Sequence, residues 1–220
     1  MYGENKRIIN LLGSTGSGKG TQSKLLSRHF GIPHISIGDI FRYELQNTQL
    51  GQLISYNSKQ GNPLAPDEIA YGILVKRLAQ GDCKDGFILE GFPLTLEQSK
   101  FLFSFILGKQ DEYIPIELKI SNEDSDNRLK LRRICHSCGE QFSVIELASN
   151  TCLACNKTTL GMRSDDSSVS IVQEKRKQYK LHIESILREI RQYSTIFTVE
   201  CTKEHSKMDV FHQILGHITK

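Results

Sequence analysis

A glycine-rich segment with a lysine near its end lies close to the start of the chain. Residues 13–21 read Gly-Ser-Thr-Gly-Ser-Gly-Lys-Gly-Thr and follow a largely apolar run at 8–12. Glycines let the backbone turn so that several N–H groups point at one anion, and the positive end of a following helix strengthens that attraction. Lys19 supplies a mobile positive charge, and the Thr21 hydroxyl is placed to help bind Mg²⁺. The segment therefore predicts a loop that binds the phosphates of a nucleotide.

Two Cys-x-x-Cys pairs form the second group of residues with evident chemistry. Cys135 and Cys138 make the first pair, Cys152 and Cys155 the second, and 13 residues separate the pairs. Four thiolates from two such turns make a tetrahedral site that suits Zn²⁺ and leaves no position for a substrate. The metal is therefore expected to be structural and to fold a lobe too small to hold its own core. Two disulfides, or a zinc ribbon that binds nucleic acid, are the alternatives.

Composition limits the class of protein and its surroundings. The chain has 220 residues, a net charge of +3 and a hydrophobic fraction of 38%. That length suits one α/β domain with inserted segments. The net charge is too small to indicate a nucleic-acid partner, and no apolar stretch is long enough to span a membrane. The amino-terminal segment lacks the form of a signal peptide, so we expect a cytoplasmic protein with reduced cysteines.

Short runs rich in branched or aromatic residues alternate with helical stretches, as in parallel α/β proteins. The predicted strands cover 7–12, 34–36, 87–90, 114–120 and 195–200. The predicted helices cover 19–30, 39–47, 50–60, 67–80, 96–107, 166–192 and 207–218. This alternation predicts a three-layer α/β fold of the P-loop type, with a parallel five-stranded sheet and helices on both faces.

Two segments are predicted to be insertions between the sheet elements. The first, about 38–67, is helical in character. The second, 128–163, contains the paired cysteines and has six basic residues against two acidic ones. Such an excess of charge is typical of a solvated face, but beside a phosphate-binding loop it favours a basic flap that covers the phosphates.

Taken together, these segments resemble the adenylate kinases, within the nucleoside monophosphate kinase family, over nearly the whole chain. The glycine-rich loop matches the family's Gly-x-x-Gly-x-Gly-Lys-Gly-Thr pattern. The other segments that carry the resemblance are 35–42, 90–95 with Gln98, 128–133 before the cysteines, and 163–166 after them. The resemblance implies one kinase domain over 1–220, with an acceptor-binding insert at 36–65 and a zinc-bearing lid at 128–163.

The resemblance also implies a reaction and three sets of site residues. The reaction is reversible, Mg²⁺-dependent phosphoryl transfer from ATP to AMP by a monomer, giving two ADP. The residues implied for catalysis are Lys19, Arg132, Arg163, Lys175, Asp165 and Asp166. Those implied for ATP binding are Gly16, Ser17, Gly18, Lys19, Gly20, Thr21, Arg128, Gln141, Phe142 and Lys203. Those implied for AMP binding are Ile37, Arg42, Pro63, Leu64, Ala65, Gly91, Leu94 and Gln98.

Particular roles follow from the same resemblance. Arg132 and Arg163 would close on the transferring group, where positive charge on the phosphate oxygens is the main requirement. Arg128 would stack on the base of the donor nucleotide, and Arg42 would hold the acceptor phosphate through a charge-assisted fork. Gln98 would read the acceptor base through its amide, as glutamine does with adenine in DNA. The alternative for Gln98 is a helix capping box, together with the threonine three residues before it.

The chain departs from the family pattern at four positions. Leu94 stands where the family has an arginine on the acceptor phosphate, and Ile37 stands where it has a threonine near the acceptor base. Glu90 replaces an aspartate, and Lys175 aligns, with a one-residue shift, where an arginine is expected. One lost guanidinium contact costs about ten- to a hundredfold in affinity. Three functions stay open, in order of preference: a weak adenylate kinase, a kinase for another nucleoside monophosphate, and a regulatory ATP-binding protein without turnover.

Overall fold

The computed structural model describes residues 6–47, 66–108, 110–147, 149–163, 166 and 168–219. The helix predicted at 50–60 lies outside these ranges, as do four of the predicted site residues: Pro63, Leu64, Ala65 and Asp165. Within the described ranges, helices and strands alternate along the chain as the sequence predicts.

A five-stranded parallel sheet forms the centre of the molecule. Its strands are β1 (Arg7–Gly13), β2 (His34–Ser36), β3 (Gly86–Glu90), β4 (Glu112–Lys119) and β8 (Phe197–Glu200), in the spatial order β2-β3-β1-β4-β8. The helices are α1 (Lys19–Phe30), α2 (Ile37–Asn47), α3 (Asp67–Leu78), α4 (Leu96–Phe101), α5 (Asn122–Leu131), α6 (Val169–Ile190) and α7 (Lys207–Ile218). The ends predicted for α1 and α7 are confirmed.

Helices cover both faces of the sheet, as the buried side chains of β1 show. Ile9 and Leu11 pack in one apolar cluster with residues of α1 and α7. Ile8 faces the opposite way, into a cluster with residues of α3, and Leu12 packs against α6. Successive side chains of a strand point to opposite faces, so a strand buried on both sides is mostly apolar. The exception in β1 is the buried Asn10, whose amide donates a hydrogen bond to the Tyr113 hydroxyl. The predicted three-layer α/β fold is confirmed.

The segment that contains the paired cysteines folds into a second, small sheet. Its central strand β5 (Arg132–Cys135) pairs antiparallel with β6 (Gln141–Ser143) and with β7 (Leu160–Gly161). We call residues 132–161 the cysteine lobe. These strands are too short, and too poor in apolar residues, to be predicted from sequence patterning.

Helix α5 is an element that the sequence analysis missed. It begins after Ser121, whose hydroxyl oxygen accepts a hydrogen bond of 3.0 Å from the backbone N–H of Asp124. A serine followed by acidic residues in the first turn is typical of a helix start, and this pattern was available in the sequence. The helix runs through 128–131, so the lobe itself begins at Arg132.

Two other helices differ from the predicted ones in type or extent. The helix predicted at 96–107 is α-helical only as far as Phe101, and a π-helix, Leu102–Ile106, continues it. The longest of the described helices, α6, covers 22 residues of the predicted 166–192 and carries charges along its length. In the part of the chain that the structure describes, no helix combines the length and the apolar character needed to cross a membrane.

Candidate active site

The glycine-rich loop joins β1 to α1 at the carboxyl edge of the sheet. Gly16 and Gly18 have φ angles of 76° and 98°, which glycine adopts without steric strain. A Cβ atom on Gly16 would lie 2.5 Å from the hydroxyl oxygen of Ser125, so a larger residue does not fit there. Helix α1 has no side-chain cap and no acidic residue in its first turn. Its terminal N–H groups are therefore placed to receive an anion.

Lys19, the first residue of α1, folds back over this loop. Its Nζ donates hydrogen bonds to the carbonyl oxygens of Gly13 at 2.7 Å and Ser14 at 2.8 Å. Desolvation lowers the pKa of Lys19 to about 8, although the charge of Glu90 opposes that shift. Three further cations add to the lowering: Arg132, Arg163 and Lys175. The charges of three further predicted catalytic cations therefore act on the lysine of this loop.

Asp166 holds two of these cations together. Its carboxylate accepts a two-pronged hydrogen bond from Arg132, in which the Nε bond is 2.7 Å long. The Nε atom of Arg163 lies 3.8 Å from the same carboxylate, whose side chain is only 2% exposed. A buried carboxylate that pairs with two guanidinium groups fixes their orientation. The structure thus brings Arg132 and Arg163 together, one at the start of the cysteine lobe and the other just after its end.

The predicted donor-binding residues outside the loop lie on two separate elements. Arg128 donates to the carbonyl oxygens of Ser17 at 3.3 Å and Thr202 at 3.1 Å. It therefore joins the loop to the segment after β8, where Lys203 is exposed. Gln141 and Phe142 are half-buried and lie on β6, opposite Ile134 and Arg133 of β5. This placement makes them part of the cysteine lobe.

Glu90, at the end of β3, places a negative charge beside the loop. Its carboxylate oxygens lie beside Gly20, 3.4 and 3.6 Å from where a Cβ atom on that residue would be. Desolvation acts to raise the pKa of Glu90, but the hydrogen bond from His34 and the charge of Lys19 outweigh it and lower the pKa. His34, whose Nε2 atom is 2.9 Å from Glu90, was not predicted as a site residue. Only the pairing of β2 with β3 brings the two together.

The predicted acceptor residues that are described lie around the ends of β2 and β3. Arg42 forms an ion pair with Asp39 on α2. Gly91 has φ 75°, and a Cβ atom on it would be 3.5 Å from the backbone nitrogen of Gly38. Leu94 is 39% exposed. Ile37 differs from these, because it is only 1% exposed and packs in the apolar cluster beneath α3.

Gln98 shows features of both interpretations of its role. The Thr95 hydroxyl oxygen accepts a hydrogen bond from the backbone N–H of Gln98, so Thr95 caps α4. The Gln98 side chain does not complete a capping box. Its amide instead bonds to the backbone N–H of Leu94 and to the carboxylate of Asp67. The predicted contact between the Gln98 amide and a base stays a prediction.

Ser125 and Arg176 support the loop from behind, and neither was identified from the sequence. The Ser125 hydroxyl donates to the carbonyl oxygen of Thr15 at 2.9 Å. Arg176 donates to that hydroxyl and to the carboxylate of Asp126, both at 2.7 Å. These contacts tie α5 and α6, the helices on either side of the cysteine lobe, to the phosphate loop. They also separate the role of Arg176 from that of its neighbour Lys175, whose charge acts on Lys19.

The four paired cysteines lie together at one end of the cysteine lobe. Their Sγ atoms all lie within 4.8 Å of one another. The Sγ atoms of Cys135 and Cys155 are 3.6 Å apart, and so are those of Cys138 and Cys152. A disulfide requires about 2.05 Å, so the alternative of two disulfides is wrong. Thiolates around a tetrahedral Zn²⁺ at about 2.3 Å are roughly 3.8 Å apart, which is close to these two separations of 3.6 Å.

The two Cys-x-x-Cys turns have the same backbone geometry. The N–H of Gly139 donates to the carbonyl of Cys135 at 2.8 Å, and the N–H of Asn156 donates to that of Cys152 at 2.9 Å. Both residues have left-handed backbones, with φ 74° and 58°. Asparagine tolerates this region better than other non-glycine residues. Each turn supplies two sulfur atoms, and the four sulfurs lie around a common centre. A four-cysteine metal site requires this arrangement.

Two ion pairs join the cysteine lobe to the helices below it. Lys24 of α1 lies 3.0 Å from Glu140, and Lys207 at the start of α7 lies 2.6 Å from Glu146. These glutamates are the two acidic residues of 128–163, so each negative charge of a basic segment meets a lysine. A lysine in the first turn of a helix is electrostatically unfavourable, which the pairing of Lys207 with Glu146 offsets.

Together these features are those of an α/β phosphotransferase that uses a nucleotide. They are the glycine-rich loop at the end of β1, the cations whose charges act on Lys19, and the four-cysteine lobe beside the parallel sheet. The adenylate kinase family model matches residues 11–195. The adenylate kinase of Agathobacter rectalis is 34% identical over 214 residues, covering 94% of this chain and 97% of the relative. That of Fervidobacterium nodosum is 36% identical over 219 residues, covering 95% and 97%.

A third relative matches part of the chain more strongly. The adenylate kinase of Caldicellulosiruptor saccharolyticus is 44% identical over 142 residues, covering 63% of this chain and 65% of the relative. The chain belongs to the adenylate kinase family. It is therefore a phosphotransferase enzyme of the nucleoside monophosphate kinase type, and the resemblance drawn from its sequence is confirmed.

Proposed function

We propose that this enzyme transfers the γ-phosphoryl group of ATP to AMP, reversibly and with Mg²⁺, and that it works as a monomer. The observation that carries the proposal is the glycine-rich loop with Lys19 hydrogen-bonded across it, together with the charges of Arg132, Arg163 and Lys175 that act on that lysine. Phosphoryl transfer needs alignment and positive charge on the phosphate oxygens more than it needs covalent chemistry. A site that gathers cations around loop amides supplies both.

On the donor side, the amides of the loop and Lys19 hold the β- and γ-phosphates of ATP. The Thr21 hydroxyl, exposed in the first turn of α1, and the Glu90 carboxylate are the groups suited to Mg²⁺ and its waters. The ion neutralises phosphate charge when bound. Arg128, with Gln141, Phe142 and Lys203, flanks the base of ATP. Asp166, with Asp165, orients the arginines that reach the transferring group.

On the acceptor side, Arg42 holds the phosphate of AMP and Gln98 reads its base. The ion pair with Asp39 keeps the guanidinium group of Arg42 near the site before the acceptor binds. Gly91 lets the backbone approach the ligand closely. The remaining acceptor contacts are those implied at Ile37, Pro63, Leu64, Ala65 and Leu94. We assign 36–65 as the acceptor-binding insert of a single domain over 1–220.

We assign 128–163 as the lid, with the cysteine lobe as its body and Zn²⁺ as its structural metal. Four sulfurs fill the coordination shell of that ion, so it takes no part in catalysis. Closure of the lid moves Arg132 and Arg163 with it, since these residues bracket the lobe. Closure also excludes water, which suppresses wasteful hydrolysis of ATP.

A panel of acceptors tests this function directly. The purified protein is incubated with Mg·ATP and each of AMP, CMP, UMP and GMP, and the diphosphates formed are measured. We expect AMP to be the preferred acceptor. Preference for another monophosphate would replace the acceptor assignment, and tight ATP binding without turnover would favour a regulatory role.

Leu94→Arg is expected to raise kcat/KM for AMP about tenfold, because one charge-assisted contact with the acceptor phosphate is gained. Leu94 is 39% exposed, so the longer side chain does not displace the core. Steady-state kinetics with AMP measure the change. Leu181→Arg, at a 65% exposed position of α6, is the matched control and should leave kcat/KM unchanged. An unchanged value for Leu94→Arg would mean that another cation already serves this phosphate.

Reversing the charges of Glu140 and Glu146 together to lysine is expected to weaken lid closure about three- to tenfold. Exposed pairs contribute roughly 0.2–1 kcal/mol each, and the reversal replaces two attractions with two repulsions. The KM for ATP should rise, and the rise should shrink at high salt because the charges are screened. Adding Lys24→Glu and Lys207→Glu should restore the wild-type KM. If the variant with all four substitutions does not regain the wild-type KM for ATP, the two ion pairs do not control closure of the lid.

A further inference from the structure

The side-chain amide of Gln98 is held in one orientation by two contacts. Gln98 is 3% exposed. Its Nε2 atom donates a hydrogen bond of 2.7 Å to the carboxylate of Asp67, and its Oε1 atom accepts one of 2.7 Å from the backbone N–H of Leu94. Each polar atom of the amide uses one of its two hydrogen-bonding positions for the protein. One N–H and one oxygen lone pair remain for a ligand.

The chemistry of the two partners settles which way the amide points. A carboxylate only accepts hydrogen bonds, and a backbone N–H only donates them. If the Gln98 amide turned over, its oxygen would face the Asp67 carboxylate and its NH₂ group would face the Leu94 N–H. Both hydrogen bonds would be lost, and two like groups would meet in a buried place, where unsatisfied polar groups are most costly.

Asp67 is itself held in place. The Thr95 hydroxyl lies 3.1 and 3.3 Å from the two carboxylate oxygens and donates to the carboxylate. The same hydroxyl oxygen accepts from the backbone N–H of Gln98 at 3.1 Å. Asp67 is also the first residue of α3, where the helix dipole favours a negative charge. Asp67, Thr95 and Gln98 therefore form a closed set of hydrogen bonds between α3 and α4.

We propose that Asp67 is a specificity-determining residue that fixes the order of donor and acceptor which the Gln98 amide presents to the acceptor base. This inference rests on the proposed role of Gln98 as the base reader. Adenine and cytosine carry an amino donor beside a ring acceptor, whereas guanine and uracil carry a carbonyl acceptor beside a ring donor. A fixed amide suits one order and opposes the other. With AMP as the acceptor, the accepted order is the amino one.

Removing the carboxylate frees the amide to turn. The terminal torsion of a glutamine has a broad, roughly two-fold profile, so hydrogen bonds rather than torsional strain choose between its two orientations. Asp67→Asn preserves the shape of the side chain and can either donate to the Gln98 amide or accept from it. Only the Leu94 N–H then still favours the original orientation.

The test compares wild-type protein and Asp67→Asn with AMP, CMP, GMP and UMP. We expect the ratio of kcat/KM for AMP to that for GMP to fall about tenfold, the effect of one hydrogen bond, chiefly because GMP improves. Asp82→Asn is the matched control, since Asp82 pairs with Arg77 away from α4. It should leave the ratio unchanged. Gln98→Leu, which removes the amide, should abolish the discrimination. Asp67→Ala, which also removes the carboxylate that holds the amide, should lower the same ratio and serves if Asp67→Asn does not fold.

A second measurement follows the amide itself. In ¹⁵N-labelled wild-type protein, the Gln98 side-chain proton bonded to Asp67 should exchange slowly with water, and in Asp67→Asn it should exchange faster. An equal loss of activity with all four acceptors and an unchanged ratio would show a merely structural role and overturn the inference, while the proposed kinase activity would stand. If no acceptor is phosphorylated, calorimetric Kd values for the four monophosphates give the same ratio. Absence of both turnover and binding would remove the base-reading role, and the inference with it.

Discussion

Lys19→Ala should reduce kcat/KM for Mg·ATP by about a thousandfold or more, the range found when a positive group on a transferring phosphate is lost. Lys19 serves the site in two ways. In the proposed function its charge faces the phosphates, and in the structure it donates hydrogen bonds to the carbonyls of Gly13 and Ser14, which shape the loop. The variant therefore loses both the charge and the preformed loop. A coupled kinase assay measures the rate, and calorimetry measures ATP binding.

Lys100→Ala is a suitable control for Lys19→Ala. Lys100 is exposed and pairs with Glu97 on α4, so its removal deletes a lysine charge without touching the loop. It should retain full activity. If Lys19→Ala bound Mg·ATP as tightly as the wild-type protein does, the glycine-rich loop would not be the phosphate site.

The lowered pKa of Lys19 adds a pH dependence to this result. Its value in the free protein is about 8, against 10.5 for an ordinary lysine. Only the protonated amine attracts phosphate, so ATP affinity should fall as the pH rises through 8, while most lysines are still charged. Lys19→Arg should remove that break in the plot of log Kd against pH, because arginine stays protonated. A break that persists in the arginine variant would assign the titration to a different group.

Loss of the metal is the second change with a large expected effect. Replacing Cys135 and Cys152 together by serine should abolish zinc binding, disorder the cysteine lobe and reduce kcat at least about a hundredfold. Zinc binding supplies roughly 10–16 kcal/mol of folding free energy in zinc-finger peptides, more than three short strands can supply. Arg132 begins the lobe, so its position depends on that fold. The loss of one such cation costs about a thousandfold in related reactions.

The metal prediction is measured by elemental analysis and thermal unfolding. Wild-type protein should contain about one zinc per chain, and a strong chelator should lower its unfolding temperature and its activity together. Cys83→Ser is the matched control, because Cys83 is buried beside Arg77, away from the lobe. It should leave the zinc content unchanged. A zinc-free protein with four free thiols and an ordered lobe would contradict the assignment.

The features of the site that could be predicted are those that depend on a short, continuous stretch of sequence. The loop at 13–21, the start of α1 at Lys19 and the two cysteine turns each depend on backbone angles and spacing within about ten residues. The pattern of apolar residues in β1 likewise gave a strand buried on both faces. Helix α5 also has a local sequence signal, the N-terminal cap at Ser121, but it was not predicted. The cysteine lobe's strands carry no such local pattern.

The long-range contacts of the site could not be predicted from the sequence. His34 and Glu90 meet because β2 lies beside β3 in one register, which pairs Ser36 with Glu90. Arg176 reaches the loop only through Ser125, which lies 51 residues before it in the chain. Such partners are chosen by the packing of whole elements, and residue type alone does not distinguish them from other polar residues at the surface.

Local patterns of residues are therefore enough to predict the chemistry available to this enzyme: a glycine-rich loop, four cysteines spaced for a metal, and the basic residues around them. Tertiary packing was needed to show which charges act on Lys19, which glutamates hold the cysteine lobe to α1 and α7, and how Asp67 contacts the Gln98 amide. The difference lies in the range over which each interaction acts. Backbone conformation responds to a few neighbouring residues, whereas the partner of a buried polar group is fixed only when sheet register and helix packing bring distant segments together.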